Sequence, residues 1–130
     1  MTIFVLDTGA LIALEHGDRH LWTRLYTANR PSDVRVPTGV VAQAWRGGPR
    51  QAPLARALKL SDEVPLDGRI AREAGALCGQ TETDDVIDAS VAVTAAQAAR
   101  QEDVGVVTSD RSDIAPLLAA LGASARIVDV

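Results

Sequence analysis

The sequence predicts an α/β domain with a mainly parallel central sheet flanked by helices, and three observations lead there. Short apolar runs rich in strand formers alternate with stretches of helical spacing along all 130 residues. That alternation suits a parallel sheet covered on both faces, because each crossover returns over a face of the sheet. The late run Gly105-Val106-Val107-Thr108 is continuously apolar. No repeat, low-complexity stretch or linker interrupts the chain, so residues 1–130 read as one domain of a size that suits a single core.

Taken in order, Thr2-Ile3-Phe4-Val5-Leu6 opens as a strand and stops at Asp7, and Ala10 to Leu14 continues with helical spacing. Asp7 therefore stands where a strand hands over to a helix. His20 to Arg30 carries Leu21, Trp22, Leu25 and Tyr26 at helical spacing. Val34-Arg35-Val36 is a second strand closed by Pro37, and Thr38 is the expected N-cap of a helix through Val40, Val41, Ala44 and Trp45. Gly47-Gly48-Pro49 stops it. Gln51 to Leu60 reads as a helix, Glu63 to Leu66 as a third extended piece, and Asp67 as the cap of a helix to about Leu77. Thr83 or Asp84 opens a long helix reaching Ala98. The strand 105–108, a helix from Ile114 to Leu121 and a last strand from Arg126 to Val130 complete the chain.

Composition narrows the function. No apolar run approaches the ~18 residues needed to span a bilayer, and the N-terminal stretch has no basic lead-in and is broken by Asp7, so a cytoplasmic protein is expected. The one cysteine, Cys78, reads as a buried small hydrophobe. His16 and His20 lie in a polar stretch and read as surface residues, which disfavours zinc. The net charge of −4 is unlike that of most nucleic-acid binders. Yet all but one of the basic residues are arginine, Lys59 being the exception, and arginine is the better bidentate phosphate ligand.

The acids are informative by placement. Asp7 follows the first strand and Asp110 follows the strand 105–108, and in open α/β sheets ligands bind beyond the carboxyl ends of strands. Asp84, Asp85 and Asp88 open the helix before that later strand, at spacings that bring Asp88 onto the face of its predecessors. Asp110 and Asp113 repeat the three-residue spacing. The helix dipole accounts for Asp67, Asp84 and Asp113. It accounts poorly for Asp88, set a turn inside its helix among Val86, Ile87, Ala89 and Val91, where a lone acid is costly without a charge partner or a metal. Converging carboxylates suit a hard cation such as magnesium or manganese. A cation so held serves phosphodiester hydrolysis.

Three segments together resemble the motifs of PIN-domain ribonucleases, and among these the toxins of bacterial VapBC toxin–antitoxin pairs. They are Val5-Leu6-Asp7-Thr8-Gly9-Ala10-Leu11-Ile12, Asp85-Val86-Ile87-Asp88-Ala89-Ser90-Val91-Ala92, and Val106-Val107-Thr108-Ser109-Asp110-Arg111-Ser112-Asp113-Ile114. The resemblance implies a PIN-like three-layer α/β/α fold and an endoribonuclease whose metal-activated water cleaves RNA to 3′-hydroxyl and 5′-phosphate ends. It implies Asp7, Asp88 and Asp110 as magnesium (or manganese) ligands, Asp113 as a fourth catalytic acid, and Thr8 and Thr108 as their hydrogen-bonding supports. It also implies a small antitoxin protein as partner, an apolar groove that receives it, and a homodimer. Trp22 and Trp45 read as core or groove anchors.

One departure stands out: where the family carries a glutamate five residues after a Ser/Thr, counting from Thr38 arrives at Gln43. Either Asp84 or Asp85 restores the missing charge, or metal binds weakly. Arg46, Arg50 and Arg56, around the helix after Thr38 and its Gly47-Gly48-Pro49 turn, read either as contacts to RNA phosphate or as arginines compensating helix-end carbonyls. A phosphoacceptor domain would want paired acids after the first strand and a late lysine, and a haloacid-dehalogenase-type phosphatase an acid where Gly9 stands. A PIN-like binding module that has lost catalysis is the surviving alternative, supported by Gln43.

Overall fold

The computed structural model describes residues 2–130 and builds five strands and seven helices in alternation. The order is β1 (Thr2–Leu6), α1 (Thr8–Glu15), α2 (Arg19–Thr27), β2 (Val34–Pro37), α3 (Thr38–Ala44), α4 (Ala52–Lys59), β3 (Asp62–Val64), α5 (Gly68–Thr81), α6 (Val86–Ala98), β4 (Asp103–Thr108), α7 (Arg111–Ala120) and β5 (Ala125–Asp129). Single 3₁₀ turns at Pro31–Asp33 and Pro49–Gln51 precede β2 and α4. The sheet order is β3-β2-β1-β4-β5 and every pairing is parallel. The expected three-layer α/β/α architecture is the observed one.

Helices α5, α6 and α7 pack on one another against one face. Helix α1 covers the other with α2 and α4 beside it, and α3 touches both α1 and α6. With both faces covered, the central strands are apolar throughout: Val5, Val36, Val104, Val106 and Val107 are fully or almost fully buried. Helix α6 has no polar stripe at all, since Ala89 through Ala95 are all buried. Its alanines let it lie close to the sheet, while Leu11, Leu14, Leu54, Leu77 and Ile114 supply the bulk of the core. Each such side chain contributes about 1.5–3 kcal/mol on burial.

Several boundaries differ from the sequence expectation, each for a local reason. Thr38 is the first residue of α3 and caps nothing; the N-cap position is Pro37, and the Thr38 hydroxyl accepts from the Leu66 N–H at 3.0 Å. Helix α6 is capped by Asp85, not by Thr83 or Asp84, because Asp85 Oδ1 accepts from the Asp88 N–H at 3.0 Å. This puts Asp88 in the first turn of α6 instead of a turn inside it. Helix α5 runs past Leu77 to Thr81 and stops where Glu82 turns left-handed (φ 59°) and its N–H reaches the Cys78 carbonyl. Helix α2 starts at Arg19, capped by Asp18. It ends at Thr27, since Arg30 precedes Pro31 and is extended. Strand β3 stops at Val64, short of Leu66, because Pro65 has no N–H for the ladder.

Strands β1 and β4 run in register from Thr2 opposite Asp103 to Leu6 opposite Val107. Beyond them the chain turns into α1 and α7 through loops that nearly touch. A Cβ on Gly9 would clash with Ser109 Oγ and lie 2.8 Å from Ser109 Cβ. Gly9→Ala is therefore expected to cost about 1–3 kcal/mol by overpacking. Urea denaturation measures this, and adding Ser109→Gly should recover most of the loss.

Candidate active site

Sheet order changes direction at β1: β2 and β3 lie to one side of it, β4 and β5 to the other. The crevice beyond the carboxyl ends of β1 and β4 is thus the topological switch point, where such sheets bind ligands. Asp7 and Asp110 both fall there.

Asp7 is only 3% exposed. As N-cap of α1 its Oδ1 accepts from the Thr8 N–H at 2.7 Å, and its Oδ2 accepts from the Thr108 hydroxyl at 2.7 Å. The Thr108 oxygen in turn accepts from the Asp110 N–H at 2.9 Å. Asp7's own N–H donates to the Val107 carbonyl at 2.9 Å, extending the β1–β4 ladder past its last residue. Thr108 is fully buried, and its hydroxyl joins the two acid-bearing loops. Asp110 takes the N-cap position of α7 but makes no side-chain capping bond, and it is exposed.

Asp88 reaches the same crevice from α6. Its carboxyl is pushed up to about 7, first by desolvation, then by the charges of Asp85 and Asp7, a hydrogen bond with Asp85 and the charge of Asp113. The N-terminal end of α6 favours an anion, so burial and the neighbouring acids outweigh the helix end here. Asp84, Asp85, Asp88 and Asp113 line a cleft of about 370 Å³ between the α5–α6 loop and α7. No cation relieves this group. Among the described residues the ion pairs are Arg30–Asp33, Arg111–Asp129, Arg126–Asp103 and the weaker His16–Glu15, and none touches the cleft. Arg111, next to Asp110 in sequence, is drawn to Asp129 by two hydrogen-bonding nitrogens.

The remaining candidate residues separate into two groups. Gln43, exposed on α3, accepts a hydrogen bond from the Thr8 hydroxyl, so α3 does deliver it to the edge of the crevice. Arg46 and Arg50 are not brought to the acids. Arg46 turns its guanidinium back on the Trp45 carbonyl (2.7 Å) at the end of α3, and Arg50 is exposed on the 3₁₀ turn. His16 and His20 are exposed. Cys78 is buried, and desolvation with the charges of Asp85 and Asp84 raises its pKa, which keeps it a thiol.

Two residues that shape this region were not singled out by sequence reasoning. Gly9 admits Ser109 at the switch point, and its only signal was a glycine in the first turn of an otherwise good helix. Gln51 is buried; it accepts from the N–H groups of Arg46 and Gly47 and donates to Glu15 and the Ala44 carbonyl. It pins the loop after α3 to α1, and nothing in its sequence context marks it.

The donor set at the crevice is carboxylate oxygen, which fits magnesium or manganese and does not fit zinc. Among the described residues no three carboxylate, imidazole or thiol side chains stand together in a ready metal-ligand arrangement. Asp88 with a raised pKa beside Asp7 and Asp85 has the electrostatics of a site that a divalent cation would relieve.

No protein-family model and no curated protein sequence matches this chain. Among solved structures it is similar to a chain of a toxin–antitoxin complex from Klebsiella pneumoniae, at 22% identity and a TM-score of 0.63, covering 85% of this chain and 89% of that one. The two share the α/β fold. No helix among the described residues is long and apolar enough to cross a membrane.

Two outcomes follow. Thr108→Val leaves the Asp7 carboxylate and the Asp110 N–H without their shared partner and is expected to lower stability by about 1–3 kcal/mol, measured by urea titration. Asp88, its folded pKa raised from 3.8 to about 7, holds its proton when folded at pH values where the unfolded chain has lost it. Its contribution is thus full below about pH 4 and is lost as pH rises through about 7. Asp88→Asn is expected to match the parent in melting temperature at the acid end and exceed it at about pH 8, with magnesium narrowing the gap.

Proposed function

We propose that this chain is a metal-dependent endoribonuclease of the PIN type, acting as the toxin of a toxin–antitoxin pair. The observation that carries the reading is the convergence of Asp7 and Asp88 from β1 and α6 at the switch point of the sheet, with no ion pair to either among the described residues. Asp7, Asp88 and Asp110 are assigned as the groups that hold magnesium or manganese. Asp113 and Asp85 are assigned as adjoining acids. When bound, the metal supplies counter-charge and Lewis acidity for hydrolysis of an RNA phosphodiester.

The protein's own part is positioning. Thr108 holds Asp7 in one rotamer by its hydroxyl, and the Thr8 N–H holds the other carboxylate oxygen. The Thr8 hydroxyl ties Gln43 to the same edge. The cleft beside Asp88, about 370 Å³, is within the range that admits a small ligand or a nucleotide unit. The similarity to a toxin–antitoxin complex chain supports the toxin assignment and a small antitoxin as partner. An apolar groove between α3 and α4, formed by Val41, Trp45, Ala55 and Leu58 with Trp45 42% exposed, is a suitable seat for a partner helix. A homodimer working in the cytoplasm completes the proposal.

A second reading, an RNA- or partner-binding module of the same fold, is favoured by one observation: an amide, Gln43, stands where the family carries a carboxylate. Incubation of the isolated protein with a structured RNA pool in magnesium, manganese or chelator separates the two. Metal-requiring cleavage that Asp88→Asn abolishes supports the nuclease. Absence of cleavage by folded protein in either metal, with Gln43→Glu also silent, supports the module. Gln43→Glu is expected to lower the metal concentration needed for half-maximal cleavage by about tenfold, one charge–metal contact of roughly 1.4 kcal/mol.

A further inference from the structure

Away from the acidic cleft, α2 and α4 meet in a different kind of surface. Helix α2 buries Leu21 and Leu25 and carries Arg19, Trp22 and Tyr26 on a shared i, i+3, i+7 face, with Arg19 and Tyr26 exposed and Trp22 half-buried against the core. The Trp22 indole is fixed by donating its N–H to the Leu14 carbonyl at 2.9 Å. Tyr26 stacks on Trp22, with ring centroids 5.5 Å apart and planes 28° apart, yet is 62% exposed. From α4, the Arg56 guanidinium lies over the Trp22 ring at 4.9 Å. Neither helix carries a carboxylate, in a protein whose net charge is −4, and Arg19 and Arg56 are the arginines on this surface; Arg24 lies instead over the Phe4 ring at 4.9 Å, and Lys59 lines the groove with Val41 and Trp45. Of the acids that precede α2, Asp18 caps that helix and Glu15 accepts from Gln51; Glu63, which follows α4, lines the groove beside Lys59.

We propose that this aromatic–arginine stack is a holding surface for single-stranded RNA, separate from the acidic cleft. A base laid on the open face of Tyr26 continues the Trp22–Tyr26 stack, and arginines on both helices meet the flanking phosphates. The charge favours a polyanion, and an exposed flat ring amid cations favours one with bases over a peptide, whose apolar side chains have the Val41–Trp45–Leu58 groove. The surface also answers a difficulty of the nuclease reading, on which the choice of RNA rests: a cleft lined by unbalanced carboxylates repels the strand it must receive, and a cationic surface elsewhere offsets that repulsion.

The test uses Asp88→Asn protein, so that RNA stays intact, and fluorescence anisotropy of a labelled oligouridylate of about twelve nucleotides. Adding Tyr26→Ala is expected to weaken binding about tenfold, and Tyr26→Phe to restore it, since the ring and not the hydroxyl stacks. Arg56→Ala should weaken binding and reduce the slope of log affinity against log salt by about 0.7. Unchanged affinity in Tyr26→Ala, or no binding by folded protein, overturns the proposal. Failure of the nuclease reading is seen separately: Tyr26-dependent binding by a wild-type protein that cleaves nothing leaves this surface standing and removes the enzyme. Metal-dependent cleavage with Tyr26-independent binding does the reverse.

Discussion

A buried hydroxyl between two adjacent parallel strands organises this protein's functional edge. Thr108, at the end of β4, donates a hydrogen bond to Asp7 at the end of β1 and accepts one from the Asp110 N–H. Because the hydroxyl has one donor and its oxygen accepts from a fixed backbone group, its rotamer and that of Asp7 are set together. The Asp7 N–H to Val107 bond and the Gly9–Ser109 contact draw the same two loops together. The crevice that receives Asp88 exists only while those loops stay in contact. Core packing beneath them fixes the register that puts Leu6 opposite Val107.

Against this ordered frame the electrostatics are unfavourable by design of the sequence. Asp85, Asp88 and Asp113 share one cleft, Asp7 adds its charge to Asp88, and Arg111, next to Asp110 in the chain, is committed to Asp129 on the outer strand. Asp88 answers by holding its proton to about pH 7. Strain of this sort is unusual in a region whose backbone and capping bonds are otherwise well satisfied, and no buried side-chain polar atom among the described residues lacks a partner. Stability sacrificed at one edge, with polar satisfaction kept elsewhere, is the pattern of a functional site.

One group of carboxylates gathers beyond the carboxyl ends of β1 and β4 and at the amino end of α6, while α2 and α4 carry no carboxylate. Gln43 belongs to the first region by position and to neither by charge. Bonded to the Thr8 hydroxyl, it keeps α3 tied to α1 where a carboxylate would have added to the repulsion around Asp88. The Thr8–Gln43 bond thus joins α1 to α3, and the Leu66–Thr38 bond ties α3 to the segment after β3.

Much of the fold was legible in the chain itself. Alternating strand and helix patterns defined the parallel α/β architecture, because a two-sided sheet requires apolar strands and amphipathic crossovers whatever their arrangement. The acids at Asp7 and Asp110 were placed by the same logic, since each stands within two residues of a strand's end. Other features were beyond the sequence because they depend on partners far along the chain. Thr38 looks like a cap locally, yet its hydroxyl is used by Leu66, twenty-eight positions away. The importance of Gln51 and Gly9 lies in Glu15 and Ser109, which only the folded chain brings near. Arg46 was open to two readings, and the bend of its guanidinium onto the Trp45 carbonyl is a matter of how α3 ends. Local pattern determined the elements and the strand-end acids through periodicity and capping chemistry. Which acids share a cleft, which cations are withheld from it and which loops touch were decided by tertiary packing, because charge and contact act through space and not along the chain.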